Sequence, residues 1–179
     1  MSRPNRFLLV CITLVALFSI GRFAGFMMAT GIEMSVLPIG GELPLVIVNS
    51  ETLDPLDLRT LLATDHPTVI TIAQDGCDPC IDDALDWRHL HEEFGETRSF
   101  IGLVCGGDLD SFREFRERTR LGYETYLCDA ALLGLLAPRS PTIYEIGPGG
   151  RVAFSALGSD SSDDLRHHLN LTISEQDNE

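Results

Sequence analysis

The 179-residue chain contains no lysine; its thirteen basic residues are all arginine, set against 27 acidic ones for a net charge of -14. An acidic surface of that kind repels phosphate backbones and anionic head groups, which excludes nucleic acid as a partner. The length excludes two full domains but suffices for one with a proper core. No internal repeat or low-complexity stretch is present.

Charge is also scarce at the start. Phe7 to Ile20 is a run of fourteen uncharged residues, followed by Gly21, Arg22 and a second apolar stretch to Ala29. Fourteen helical residues reach about 21 Å, but counting on to Ala29 gives about 34 Å, enough for a hydrocarbon core of about 30 Å. Arg22 would snorkel at the far interface. A good cleavage site is lacking: Ala29-Thr30-Gly31 lies well past the main apolar run. An uncleaved anchor is therefore expected over residues 1–33, with a cleaved signal peptide as the competing reading. Arg3 and Arg6 before the span, and Glu33 and Glu42 after it, put the N-terminus inside and the rest outside. Cys11 falls within the span and reads as a small apolar residue.

Residues 34–44, with Pro38, Gly40, Gly41 and Pro44, read as a linker, residues 45–174 as the domain and 175–179 as a frayed polar tail. Leu45 to Val48 predicts a strand, and Leu56 to Leu62, after Pro55, a short helix. Thr68 to Ala73 is a β-branched run that predicts a strand buried on both faces. Helical spacing follows from Cys80 to Phe94, with Gly95 as a stop signal. Ser99 to Val104 and Tyr123 to Cys128 predict strands, and Leu109 to Thr119 and Ala130 to Leu136 predict helices. Thr142 to Ile146 and Arg151 to Ala156 flank Gly147-Pro148-Gly149-Gly150 as a hairpin, and Ser161 to Leu171 closes the chain as a helix with Ser-Ser-Asp-Asp as its cap. The sum is an α/β fold with a central mixed sheet and helices on both faces.

Cys77-Asp78-Pro79-Cys80 sits where the buried strand gives way to a helix, the context in which Cys-x-x-Cys reads as redox chemistry. Cys77 would lie at the positive end of the helix dipole, which favours the nucleophilic thiolate, and Pro79 fits the first turn because the N–H it lacks would be unpaired there. Metal binding by the same cysteines is the rival reading, for zinc or copper, but no metal-finger spacing supplies further ligands. A thiol peroxidase would need threonine where Gln74 stands.

The order Gly40 to Pro44, strand, Cys-x-Pro-Cys, helix, strand, helix, strand, Ser140-Pro141-Thr142 and Gly-Gly-Arg-Val resembles the TlpA/ResA-like, redoxin-type branch of the thioredoxin superfamily, over residues 40–170. It also resembles the membrane-tethered MauD-type proteins of methylamine utilisation. The resemblance implies a thioredoxin-like fold and a thiol-disulfide oxidoreductase with Cys77 attacking and Cys80 resolving. It implies Pro141 as a cis-proline facing the pair, Asp83 as proton acceptor, and a substrate groove of Gly76, Asp78, Pro79, Ser140 and Thr142. No cofactor is expected beyond the redox-active disulfide, and no metal. Partners would be client proteins carrying a disulfide or a dithiol and, for a reductive role, a membrane electron donor of DsbD or CcdA type; the reverse direction stays open. The expected location is the outer side of a bacterial-type cytoplasmic membrane.

This chain departs from the family in having Gly76 in place of the usual tryptophan, Leu85 where many members carry proline, and Thr71 in place of the buried thioredoxin carboxylate. Asp75, Asp78, Asp82, Asp83 and Asp86 surround the pair with no basic residue until Arg88, which predicts a reducing pair because negative charge opposes the thiolate. Cys105 and Cys128, expected at the ends of neighbouring strands, read as free thiols in the core, with a second disulfide geometrically open. His89 and His91 read as surface residues, Arg113 to Arg120 as a solvated helix face, and the Asn170 sequon as chance.

Overall fold

The computed structural model describes residues 37–44, 46–52, 54–137 and 140–176. The expected membrane span and residues 177–179 lie outside the described residues. Among the described residues no helix is long and apolar enough to cross a membrane.

Among the described residues seven strands form one mixed sheet: β1 (Ile47–Asn49), β2 (Pro55–Asp57), β3 (Thr68–Gln74), β4 (Ser99–Cys105), β5 (Thr125–Cys128), β6 (Thr142–Ile146) and β7 (Val152–Leu157), in the order β2-β1-β5-β4-β3-β6-β7. β3, β4 and β5 are parallel, whereas β6 and β7 are antiparallel additions on one side and β1 and β2 on the other. Parallel neighbours need crossovers, and α2 (Asp78–Phe94) and α3 (Leu109–Thr119) supply them. The remaining helices are α1 (Leu58–Leu61), α4 (Ala130–Leu136) and α5 (Ser161–Gln176).

Because side chains alternate along a strand, each central strand feeds two cores. Val69 and Ala73 of β3 pack with Trp87, Leu90, Phe112, Phe115, Leu165 and Leu169 from α2, α3 and α5. Ile70 and Ile72 pack on the opposite face with Leu58, Leu136 and Tyr144. Helices thus cover both faces, as the residue pattern required, and the architecture is a thioredoxin-like fold.

Several boundaries differ from expectation. Leu56 and Asp57 belong to β2, not to a helix, because their backbone pairs with β1; Asp57 instead caps α1 by accepting from the Arg59 N–H at 2.9 Å. α2 begins at Asp78, with Cys77 as its cap. Much of the expected linker is docked: the N–H of Gly40 donates to Val152 at 2.7 Å, Arg151 pairs with Glu42 at 2.8 Å, and Leu43 is buried. α5 runs to Gln176, past the expected end at Leu171, and the hydroxyls of Ser161 and Ser162 turn into the protein instead of capping it. His91 is half-buried edge-on against Phe100 and Tyr123, at 5.2 Å from each ring, while His89 is exposed.

Cys105 and Cys128 face each other in the β4–β5 register and are joined as a disulfide, with Cα atoms 4.5 Å apart. The free-thiol expectation is overturned here, since register decides whether two strand ends meet and spacing in sequence does not.

Candidate functional site

β3 ends at Gln74 beside Cys105, and the Asp75 N–H donates to the Cys105 carbonyl at 2.9 Å. The chain then reverses at Gly76, whose φ of +69° is a left-handed conformation that favours glycine. Tryptophan in this place would be strained. Gly107, in the β4–α3 turn, is needed for space: a Cβ there would collide with the Ser111 hydroxyl and lie 2.8 Å from the Asp75 carboxyl carbon. Asp75 is thereby held against that turn.

Cys77 and Cys80 are joined as a disulfide, Cα to Cα 5.3 Å, and their environments differ. Cys77 is half-buried at the cap of α2, where its sulfur accepts from the Cys80 N–H at 3.2 Å. Cys80 is fully buried, its sulfur 3.2 Å from the Ser140 hydroxyl. That hydroxyl oxygen also accepts from the Gln74 N–H at 2.9 Å. Ser140 precedes Pro141 across a cis bond, and Thr142, wholly buried, opens β6 opposite Ile72. Gly76, Asp78 and Pro79 are exposed around Cys77. Ser140, expected in a substrate groove, therefore stands behind the pair, in contact with the buried sulfur.

Asp83, one turn beyond Cys80, is only 8% exposed. Burial, with Asp86, Asp82 and Asp160 adding like charge, pushes its carboxyl up to about 6. Thr71, at the position of the usual buried carboxylate, exchanges a hydrogen bond with Tyr123 at 3.0 Å and carries no charge.

A cleft of about 100 Å³ opens beside Cys77, with Asp75, Asp78, Ile81, Phe115 and Arg118 in its walls. Arg118, paired to Glu114 at 3.7 Å, is a cation in the same cleft as Cys77 that the linear sequence places 41 residues away. The signal was present, since Ser111, Glu114 and Arg118 form one stripe at helical spacing next to the apolar face of α3. The remainder of the expected solvated face divides: Arg113 and Arg116 both reach Glu51, at 3.7 and 2.5 Å. A larger depression of about 500 Å³ beside Arg120 and Tyr123 contains no cysteine. Among the described residues no group of three His, Cys, Asp or Glu is placed to hold a metal ion.

No family model and no curated protein matches the chain. Solved structures do. A DsbF homologue from Corynebacterium diphtheriae is 19% identical, covering 79% of this chain and 94% of its own, with a TM-score of 0.58. A thiol:disulfide interchange protein from Bacteroides sp. is 13% identical over 75% of this chain and 91% of its own, at 0.61. A secreted Mycobacterium tuberculosis disulfide oxidoreductase homologous to Escherichia coli DsbE is 14% identical over 66% and 90%, at 0.53. The shared fold is that of thioredoxin.

Proposed function

We propose that this chain is a thiol-disulfide oxidoreductase working through Cys77 and Cys80, tethered by residues 1–33 to a bacterial-type cytoplasmic membrane with its domain outside, and that it reduces client disulfides. The observation that carries the chemistry is the asymmetry of the pair. One sulfur is accessible, at a helix N-terminus and receiving an N–H; the other is buried against a hydroxyl. The structural likeness to thiol:disulfide interchange proteins supports the same reading, and the secreted relative supports an outer location.

In the mechanism, the Cys77 thiolate attacks one sulfur of the client disulfide, whose partner sulfur leaves as a thiolate. Cys80 then gives its proton to the Asp83 carboxylate and attacks Cys77. The mixed disulfide breaks, the client departs with both sulfurs reduced, and the two electrons it gained leave Cys77–Cys80 oxidised. Asp83 suits the acceptor role because its raised affinity lies near the working pH. A membrane electron donor of DsbD or CcdA type would restore the dithiol in an oxidising compartment. Kinship with the TlpA/ResA and MauD-type proteins is the finer form of this reading.

Insulin-disulfide reduction by the full-length protein in detergent, with metal analysis of the same sample, tests it. The wild type should turn over and Cys77→Ser should not. A metal-loaded protein without turnover would identify a metal carrier instead. Fractionation should place a full-length band in the membrane, and a soluble form beginning near residue 30 would overturn the anchor.

A further inference from the structure

α2 and α5 lie side by side and run the same way. Asp160, just before α5, raises the proton affinity of Asp83 by its charge, and further along Arg166 reaches Glu93 at 3.2 Å. Between these two points the helices share the apolar contacts of Trp87, Leu90, Leu165 and Leu169. Among the described residues, four buried polar atoms on these two helices have no protein partner: Asp83 Oδ2, Trp87 Nε1, Ser161 Oγ and Ser162 Oγ. Their residues are 8%, 1%, 0% and 3% exposed. Asp83 and Trp87 are one turn apart on α2, and the serines form the first turn of α5, level with Asp160.

Buried polar atoms are almost always paired, so four orphans where two helices meet require a common explanation. Their chemistry is complementary. The indole N–H only donates, the carboxylate only accepts, and a serine hydroxyl does both. No single cation satisfies this set, because the indole has no lone pair to offer. Water does: it accepts from Trp87, donates to Asp83, and exchanges with both hydroxyls, which is how internal water settles in polar seams.

We propose that internal water bridges Asp83 to Trp87, Ser161 and Ser162, and that these three residues position Asp83 and set its proton affinity for the step in which Cys80 resolves the mixed disulfide. The second half of this inference rests on the oxidoreductase reading; the hydration site does not. The proton leaves the Cys80 thiol for Asp83 as the Cys77–Cys80 bond forms, and passes to solvent afterwards. The charged groups facing Asp83 are Asp82 and Asp86 on its own helix and Asp160 before α5, with the Arg166–Glu93 pair further along. All the near ones are negative. The polar seam supplies hydrogen-bond donors that favour the carboxylate against this negative surround, and removing its hydroxyls should raise the affinity further.

Trp87 is the only tryptophan in the chain, so its indole N–H gives a single assignable NMR signal. That signal should titrate with a midpoint near 6 in the wild type and cease to do so in Asp83→Asn. In the double variant Ser161→Ala/Ser162→Ala the midpoint should rise by at least half a unit, and the pH profile of mixed-disulfide resolution, measured in single turnovers, should rise with it. Ser162→Thr, which keeps a hydroxyl, should behave as wild type. Should the double variant not fold, Ser162→Ala alone carries the same comparison. An indole signal indifferent to pH, or a midpoint unmoved by loss of the hydroxyls, would overturn the hydration site. A midpoint that moves while the resolution profile stays fixed would overturn its part in the reaction. Absence of insulin turnover with the indole titration intact would count against the oxidoreductase reading alone.

Discussion

The Ser140 hydroxyl lies 3.2 Å from the sulfur of Cys80 while accepting the Gln74 N–H at 2.9 Å, so one side chain ties the resolving cysteine to the end of β3. Ser140→Ala removes both contacts. Each such bond contributes about 1 kcal/mol, so resolution of a mixed disulfide should slow by about two- to tenfold while the rate of Cys77 alkylation stays unchanged. Stopped-flow single turnovers with a disulfide peptide read this directly. An unaltered resolution rate would mean that the hydroxyl serves only Gln74.

Far from the cysteines, Glu145 is buried between Arg98 at 2.7 Å and His168 at 2.7 Å. Glu145→Ala strands a buried guanidinium, which should destabilise the fold by about 3–5 kcal/mol. Thermal unfolding should shift down by about 10 °C or more. Activity well below the new midpoint should persist, since β6 meets the site at Thr142 and Glu145 lies three residues on. A shift of only a degree or two would show that Arg98 finds another partner.

The Cys105–Cys128 bond should be visible by counting thiols. Denatured, oxidised protein should expose four fewer thiols than the fully reduced form, and two fewer would restore the free-thiol reading. The bond closes a loop with a sequence separation of 23, so replacing both cysteines by alanine should cost about 3 kcal/mol on the chain-entropy account. Denaturant midpoints of the two proteins give the comparison.

Asp83 makes stability depend on pH in a defined sense. Its folded affinity of about 6 exceeds the ordinary value of 3.8, so the folded state holds this proton more firmly than the unfolded chain. The contribution is full below about pH 4 and is lost as pH rises through 6. Asp83→Asn should therefore gain stability over wild type at pH 7.5 and show no such gain at pH 4. Urea midpoints that run parallel across this range would refute it.

The charges in the cleft at Cys77 should tune its potential. Asp75→Asn/Asp78→Asn should make the disulfide more oxidising, and Arg118→Gln more reducing, each by about 10–30 mV for an exposed charge. Equilibration with glutathione measures both. An unchanged potential in the double asparagine variant would place the carboxylates away from the sulfur.

Much of the fold was legible because it depends on local pattern. The β-branched run at Thr68 to Ala73, the helical stripe from Cys80 to Phe94 and the hairpin around Gly147 to Gly150 each declare their own period. Helices on both faces follow from central strands that are apolar on both sides. The errors fell where a partner elsewhere in the chain decided: Leu56 and Asp57 joined a strand because β1 was there to pair with, and Gly40 to Leu43 docked because β7 offered open backbone groups.

The candidate site divides in the same way. Sequence alone determined the Cys77–Cys80 pair, its junction between strand and helix, and the crowd of carboxylates, because the atoms concerned are within a few residues of each other. Only tertiary structure decided that Ser140 touches Cys80, that Arg118 shares the cleft with Cys77, that Cys105 meets Cys128, and that Asp83 is buried beside α5. Those relations depend on register, on the rotation of a helix about its axis and on removal from water, and all three are set by the packed whole and not by neighbours along the chain.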